Sequence, residues 1–137
     1  MSTGYVWEEI YGWHNTGNWA GAAPAGLNAQ PYQHFESAES KQRLASAIEV
    51  SGLAEKLVRI PVTPATVDQI TMVHDRAYVE RIKRDSATPF GGDAGDGLSP
   101  FGTGSYEIAL MAAGGAIAAF NAVASGAATR FSWASCA

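Results

Sequence analysis

The sequence predicts an α/β fold, and three observations carry that reading. Residues 4–7, "GYVW", have the β-branched and aromatic character of a strand. Amphipathic helical patterns then alternate with a second strand-like run. Last, residues 105–125 form a helix pattern that is apolar on nearly every side, and such a helix needs a central sheet to cover it. With 137 residues and 47% hydrophobic content the chain can build one core and not two, so one domain, or part of one, is expected.

Taken in order, the first strand gives way to "YGWHNTGNWAGAAPAGLNAQPYQHF", residues 11–35. Glycine, proline and asparagine interrupt any period there, so the segment reads as a long surface loop. Residues 36–53, "ESAESKQRLASAIEVSGL", place Leu44, Ala47, Ile48 and Ser51 on one face of a helix, with Gly52 where a C-terminus favours a left-handed residue. "LVRIPVT", residues 57–63, has strand composition, but Pro61 lacks a donor and points to a strand end or an edge. Thr66 and Gln69 make a capping box, and Asp75 can cap a further helix, "RAYVERIKRD", with Val79 and Ile82 turned inward. In the last helix, Gly114 and Gly115 cost about 1 kcal/mol each against alanine, which predicts close approach to a neighbouring sheet. Only two strand candidates are visible, neither long, so much of the partner surface for that helix is missing.

Charge and composition exclude some functions. The formal charge is −4 with no block of like charges, which gives no footprint for nucleic acid or an anionic membrane. The apolar run at residues 108–120 falls short of the roughly 20 residues a membrane span requires. Cys136 is the sole cysteine, so neither an intrachain disulfide nor a thiolate cluster can form, and a cytoplasmic setting is expected.

Between the last two helices lies "PFGGDAGDGLSPFGTGS", residues 89–105, with six glycines and two aspartates. In an EF-hand starting at Asp93, positions three, five and twelve would be Gly95, Gly97 and Gly104, which supply no side-chain ligands. A phosphate cradle lacks its lysine, and two carboxylates would repel the anion. What remains is a turn capped by its own aspartates, or a rim on which Asp96 or Asp93 accepts hydrogen bonds from amide donors of a peptide-like ligand.

The segments "GYVWEEIYGW", "HDRAYVERIKR", "GGDAGDG" and "EIALMAAGGAI", in that order, closely resemble the N-terminal third of bacterial histone deacetylase-like amidohydrolases, relatives of the class II histone deacetylases. The resemblance implies an arginase/deacetylase-type α/β fold, a parallel sheet flanked by helices, here incomplete. It also implies zinc-dependent hydrolysis of acetyl-lysine or acetylpolyamine amides, with Asp96, and less directly Asp93, at the rim of the acyl channel.

The motifs that carry the family's chemistry are not in this sequence: no "PPGHH", no Asp-x-His pair. A catalytic zinc needs about three convergent ligands and an open position, whereas His14, His34 and His74 stand 20 and 40 residues apart. His34 and His74 read as capping or packing residues and His14 as an ordinary surface residue. No residue is therefore assigned a catalytic or metal-ligating role, and no cofactor is expected in this chain alone.

The resemblance covers residues 1–128 and leaves 129–137, "TRFSWASCA", as a tail outside it. Read one base out of frame, that tail permits "LFVGIVR", an apolar run of the kind a buried parallel strand shows. The reading that follows is a deacetylase fragment cut before its first catalytic motif and inactive alone. The alternative is a small non-catalytic module in which Trp13, Trp19 and the Asp96 loop bind a peptide. Self-association or a complementing chain is a further option.

Overall fold

The computed structural model describes residues 2–133 apart from Asn18 and Ala22. Cys136 and the end of the tail lie outside the described residues. Strand β1, Thr3–Val6, is the middle of a three-stranded parallel sheet, with β4, Val58–Arg59, on one side and β7, Arg130–Trp133, on the other. The α/β expectation holds, with parallel strands flanked by helices. Gly4 pairs with Val58 and with Phe131, so the first tail residues, as written, extend the sheet. The strand expected over 57–63 shrinks to two residues, because Pro61 follows directly and cannot donate to a ladder.

Side chains of β1 alternate across the sheet, as a period of two requires. Tyr5, with Trp7 just beyond the strand, joins a cluster with Tyr11, Ala45, Ile48 and Ala112. Val6 joins the other cluster, with Ile60 and Ala119. Tyr11 belongs to a 3₁₀ turn, Glu9–Trp13, that the loop reading of residues 11–35 missed. It is fully buried, meets the edge of Trp7 and donates its hydroxyl to the Met111 carbonyl at 3.1 Å. The rest of that segment is also more ordered than expected. Strands β2, Trp19–Ala20, and β3, Ala23–Pro24, pair antiparallel, and Trp19 bridges to Tyr32.

Helix α1, Ala38–Val50, ends at Gly52 with φ +71°. Its buried face is Ala38, Ala45 and Ile48, whereas Leu44 of the expected face is 52% exposed. The helix turns its small residues inward because it lies against the 3₁₀ turn, where Tyr11 already fills the space. Helix α2, Val67–Ile70, starts at the expected capping box. Asp75 sits at the N-cap of α3, Arg76–Ser86, but makes no cap hydrogen bond there. Val79 is the buried anchor of α3.

Helix α4, Ser105–Ala124, packs on β1, β7, α3 and the 3₁₀ turn. At 20 residues and mean hydropathy 1.6 it is long and apolar enough, by length and composition alone, to cross a membrane, which corrects the shorter estimate from residues 108–120. The close approach expected at Gly114 is present, but the neighbour is the segment 63–65 rather than a sheet strand. The Ala65 amide donates to the Leu110 carbonyl at 2.9 Å, one turn before Gly114, and a Cβ on Gly114 would run into the Thr63 carbonyl oxygen.

Candidate functional site

The glycine-rich loop is held at both ends before it turns. Ser86, 2% exposed at the end of α3, accepts the Tyr106 amide on its hydroxyl at 2.9 Å, and its carbonyl accepts the Gly104 amide at 3.1 Å. Between these ties β5, Gly92–Asp93, and β6, Pro100–Phe101, form a short antiparallel pair. Arg81 of α3 donates to the carbonyls of Asp93 at 2.9 Å and Ala94 at 2.7 Å, while its guanidinium lies over the Tyr78 ring. One planar fork thus staples the loop to the helix.

At the tip the two aspartates organise the backbone. Asp93 accepts the amides of Gly95 at 2.7 Å, Gly97 at 2.9 Å and Ser99 at 3.2 Å. Gly95 and Gly97 both have positive φ, and this lets successive amides turn toward one carboxylate. Asp96 accepts the Leu98 and Ser99 amides at 2.8 and 2.9 Å and the Ser99 hydroxyl at 2.8 Å. The Leu98 amide first, then the Ser99 hydroxyl, holds its carboxyl below the usual aspartate range. Asp96 is exposed. The ring of donors keeps the carboxylate charged, and its exposure leaves it within reach of a ligand.

Behind this loop lies a cavity of about 370 Å³. Its walls come from Tyr78 and Ile82 of α3, Leu98, Ser99 and Phe101 of the hairpin, and Ser105 and Ala109 of α4. The far side is formed by His14, Thr16, His34 and Glu36 from the segment that read as a loose loop. His34 is 8% exposed and uses both ring nitrogens. Its Nδ1 accepts the Glu36 amide at 3.1 Å, which assigns the proton to Nε2, and Nε2 then donates to the Leu98 carbonyl at 3.0 Å. Of the capping or packing reading of His34, packing holds: the amide it accepts precedes the N-cap Ser37 of α1, and the ring ties the aromatic segment to the tip of the glycine loop.

His14 corrects the surface-residue reading. It is partly buried, contacts the Ser105 hydroxyl through Nδ1 at 3.2 Å, and burial, then the neighbouring His34, lowers its pKa. His74 stays outside the cavity, stacked on Tyr78. The His14–Ser105 pair has no free oxyanion donors in its own helix turn. The Ser105 and Tyr106 amides, which could stabilise an oxyanion, already donate to Gly102 and Ser86.

The same residues do not fit a metal. His34 has no ring nitrogen left, and among the described residues no group of three or more His, Cys, Asp or Glu could hold an ion.

A histone deacetylase domain matches residues 34–136 of the chain. The chain belongs to the histone deacetylase family. A histone deacetylase-like amidohydrolase from Pseudomonas aeruginosa is 41% identical over 131 residues, which cover 90% of this chain and 33% of that protein. The crystal structure of the HDA15 HD domain resembles the chain with a TM-score of 0.76 at 18% identity, over 97% of this chain and 35% of its own, and so speaks to fold alone. The chain spans about a third of the length of these relatives. The family is zinc-dependent in general and its name implies acetylated substrates.

The sequence singled out Asp93 and Asp96 but gave no site role to Arg81, His14, His34 and Ser105. The first lay in a charged helix face indistinguishable from a solvated one. The others come together only because α4 begins beside the 3₁₀ turn, a proximity that no local spacing encodes.

Proposed function

We propose that this chain supplies the substrate rim of a zinc-dependent amidohydrolase acting on acetyl-lysine or acetylated polyamine amides. In this reading Asp96 accepts an amide or amine N–H of the substrate and Asp93 braces the loop that presents it. The zinc-holding and proton-transfer groups belong to the part of the relatives' length that this chain does not span, so the chain alone is inactive. The observation that carries the reading is Asp96 itself: an exposed carboxylate at a loop tip, kept ionised by three donors and fixed in place by Arg81 and His34 through the loop backbone.

The test is acetate release from an acetyl-lysine peptide in the presence of zinc. None is expected from the purified 137-residue chain, and turnover by it alone would sink the fragment reading. In a polypeptide that extends this chain by the remaining two thirds of the relatives' length, Asp96→Asn should raise KM about tenfold while kcat changes less, the loss expected for one charged hydrogen bond. An unchanged KM would remove Asp96 from the rim.

A further inference from the structure

The cavity behind the rim loop has no task in the deacetylase reading. Its volume, about 370 Å³, lies within the roughly 300–1,000 Å³ of small-molecule sites. Ile82, Leu98, Phe101 and Ala109 give it apolar walls, and among its polar lining, which includes Thr16, Tyr78 and Ser99, the His14–Ser105 pair is hydrogen-bonded side chain to side chain.

Two features define what it can hold. The first is charge. Glu36 is the one formally charged residue among the described lining, and it is exposed and paired with Lys41 at 2.6 Å. An anion finds no counter-charge, a cation finds no free carboxylate, and either would be desolvated against apolar walls.

The second is hydrogen bonding. A neutral imidazole and a hydroxyl carry two protons between them, and their mutual contact at 3.2 Å uses one. If Ser105 donates to Nδ1, the pair keeps the Nε2 proton as donor and the hydroxyl oxygen as acceptor. If Nδ1 donates to Ser105, the pair keeps the hydroxyl proton as donor and Nε2 as acceptor. Either tautomer therefore leaves one donor and one acceptor. A primary amide matches both, whereas a carboxylate only accepts and an ammonium only donates.

We propose that this cavity binds a small uncharged amide with a short aliphatic body, its amide on the His14–Ser105 pair and its chain against Ile82, Phe101 and Ala109. The site stands on the cavity alone and does not depend on Asp96 meeting a substrate.

Three probes that share a body and differ in the head test it: butyramide, butyrate and butylammonium, titrated into the ¹⁵N-labelled chain near neutral pH. Butyramide should give saturable shifts of the Leu98, Phe101, Ser105 and Ala109 amides. The two charged probes should bind about tenfold more weakly, the loss expected for one unsatisfied hydrogen bond. The double variant His14→Phe/Ser105→Ala, which removes every donor and acceptor of the pair, should bring the three affinities within about twofold of one another. Ala109→Phe should abolish the shifts by filling the space, and Ala109→Met serves the same end if the larger ring costs the spectrum its dispersion. No saturable shift with butyramide, equal binding of the three heads, or binding that survives a filled cavity would overturn the proposal.

Discussion

The two halves of the molecule are held together by different forces. On one side, β1, the 3₁₀ turn, α1 and α4 bury apolar surface around Tyr5, Trp7 and Tyr11, with few polar contacts among them. On the other, the glycine loop and the aromatic segment bury little and are fixed by hydrogen bonds from Asp93, Asp96, Arg81 and His34 to backbone. The first half carries the stability, since each large buried side chain is worth several kcal/mol. The second half carries position, since each hydrogen bond is worth about 1 kcal/mol but sets where a carboxylate points.

The largest expected break falls in the apolar half. Tyr11→Ala should cost about 3–5 kcal/mol, because a fully buried ring leaves a cavity between β1 and α4. Tyr11→Phe keeps the ring and should cost only about 1 kcal/mol, the bond to the Met111 carbonyl. Urea unfolding of both variants separates the two contributions. Similar losses in the pair would mean that the hydroxyl, and not the ring, anchors the turn. The same burial, with Glu8 second, pushes the Tyr11 hydroxyl up to about 12, so it stays protonated and able to donate across the usual pH range.

Next comes the contact between α4 and the segment 63–65. In an open helix Gly→Ala gains about 1 kcal/mol. At Gly114 the added methyl meets the Thr63 carbonyl, and the Ala65 amide bond to Leu110 holds that backbone in place. Overpacking of about 1–3 kcal/mol should therefore reverse the sign. A stabilised Gly114→Ala variant, read by the same urea midpoints, would show that the segment gives way.

In the polar half Asp93→Ala should cost about 1 kcal/mol, since the Gly95 and Gly97 amides it releases lie near water and find new partners there, while the Ser99 amide stays on Asp96. Its signature should instead be local. Amide exchange at Gly95 and Gly97 should accelerate while the core amides of α4 stay protected. Acceleration that spreads into α4 would show that the loop is part of the cooperative core.

These differences track what was legible in the sequence. The strand at β1, the capping box at Thr66 and the long apolar helix were readable because each is set by residues within one turn or one strand of each other. The inward face of α1 was misread because Leu44 is the larger residue, yet only 28% of the apolar stretch of α4 is buried and Leu44 is likewise left half exposed. Hydrophobic periodicity reports which face could be buried, and the neighbours decide which face is. The site was half legible for the same reason. Asp93 and Asp96 satisfy amides a few residues away and belong to a loop visible from its glycines, while His14 and Ser105 meet across a separation of 91 residues.

The smallest effect is also the sharpest test of that long-range pair. Burial lowers the pKa of His14 from the ordinary 6.5 of a free histidine, so between its folded value and 6.5 the unfolded chain binds more protons than the folded one. Stability must then rise with pH in that window, and the contribution of a neutral His14 is lost as pH falls through its folded pKa. The urea midpoint should decline on acidification below about 6.5, and the decline should be shallower in His14→Gln, which keeps a hydrogen-bonding side chain but has nothing to titrate. The Asp96 carboxyl, depressed by its ring of donors, titrates below the ordinary 3.8 and so leaves this window clear. If His14→Gln has the same slope as the parent chain, the imidazole is as accessible to protons folded as unfolded, and the cavity is open to water at its polar end.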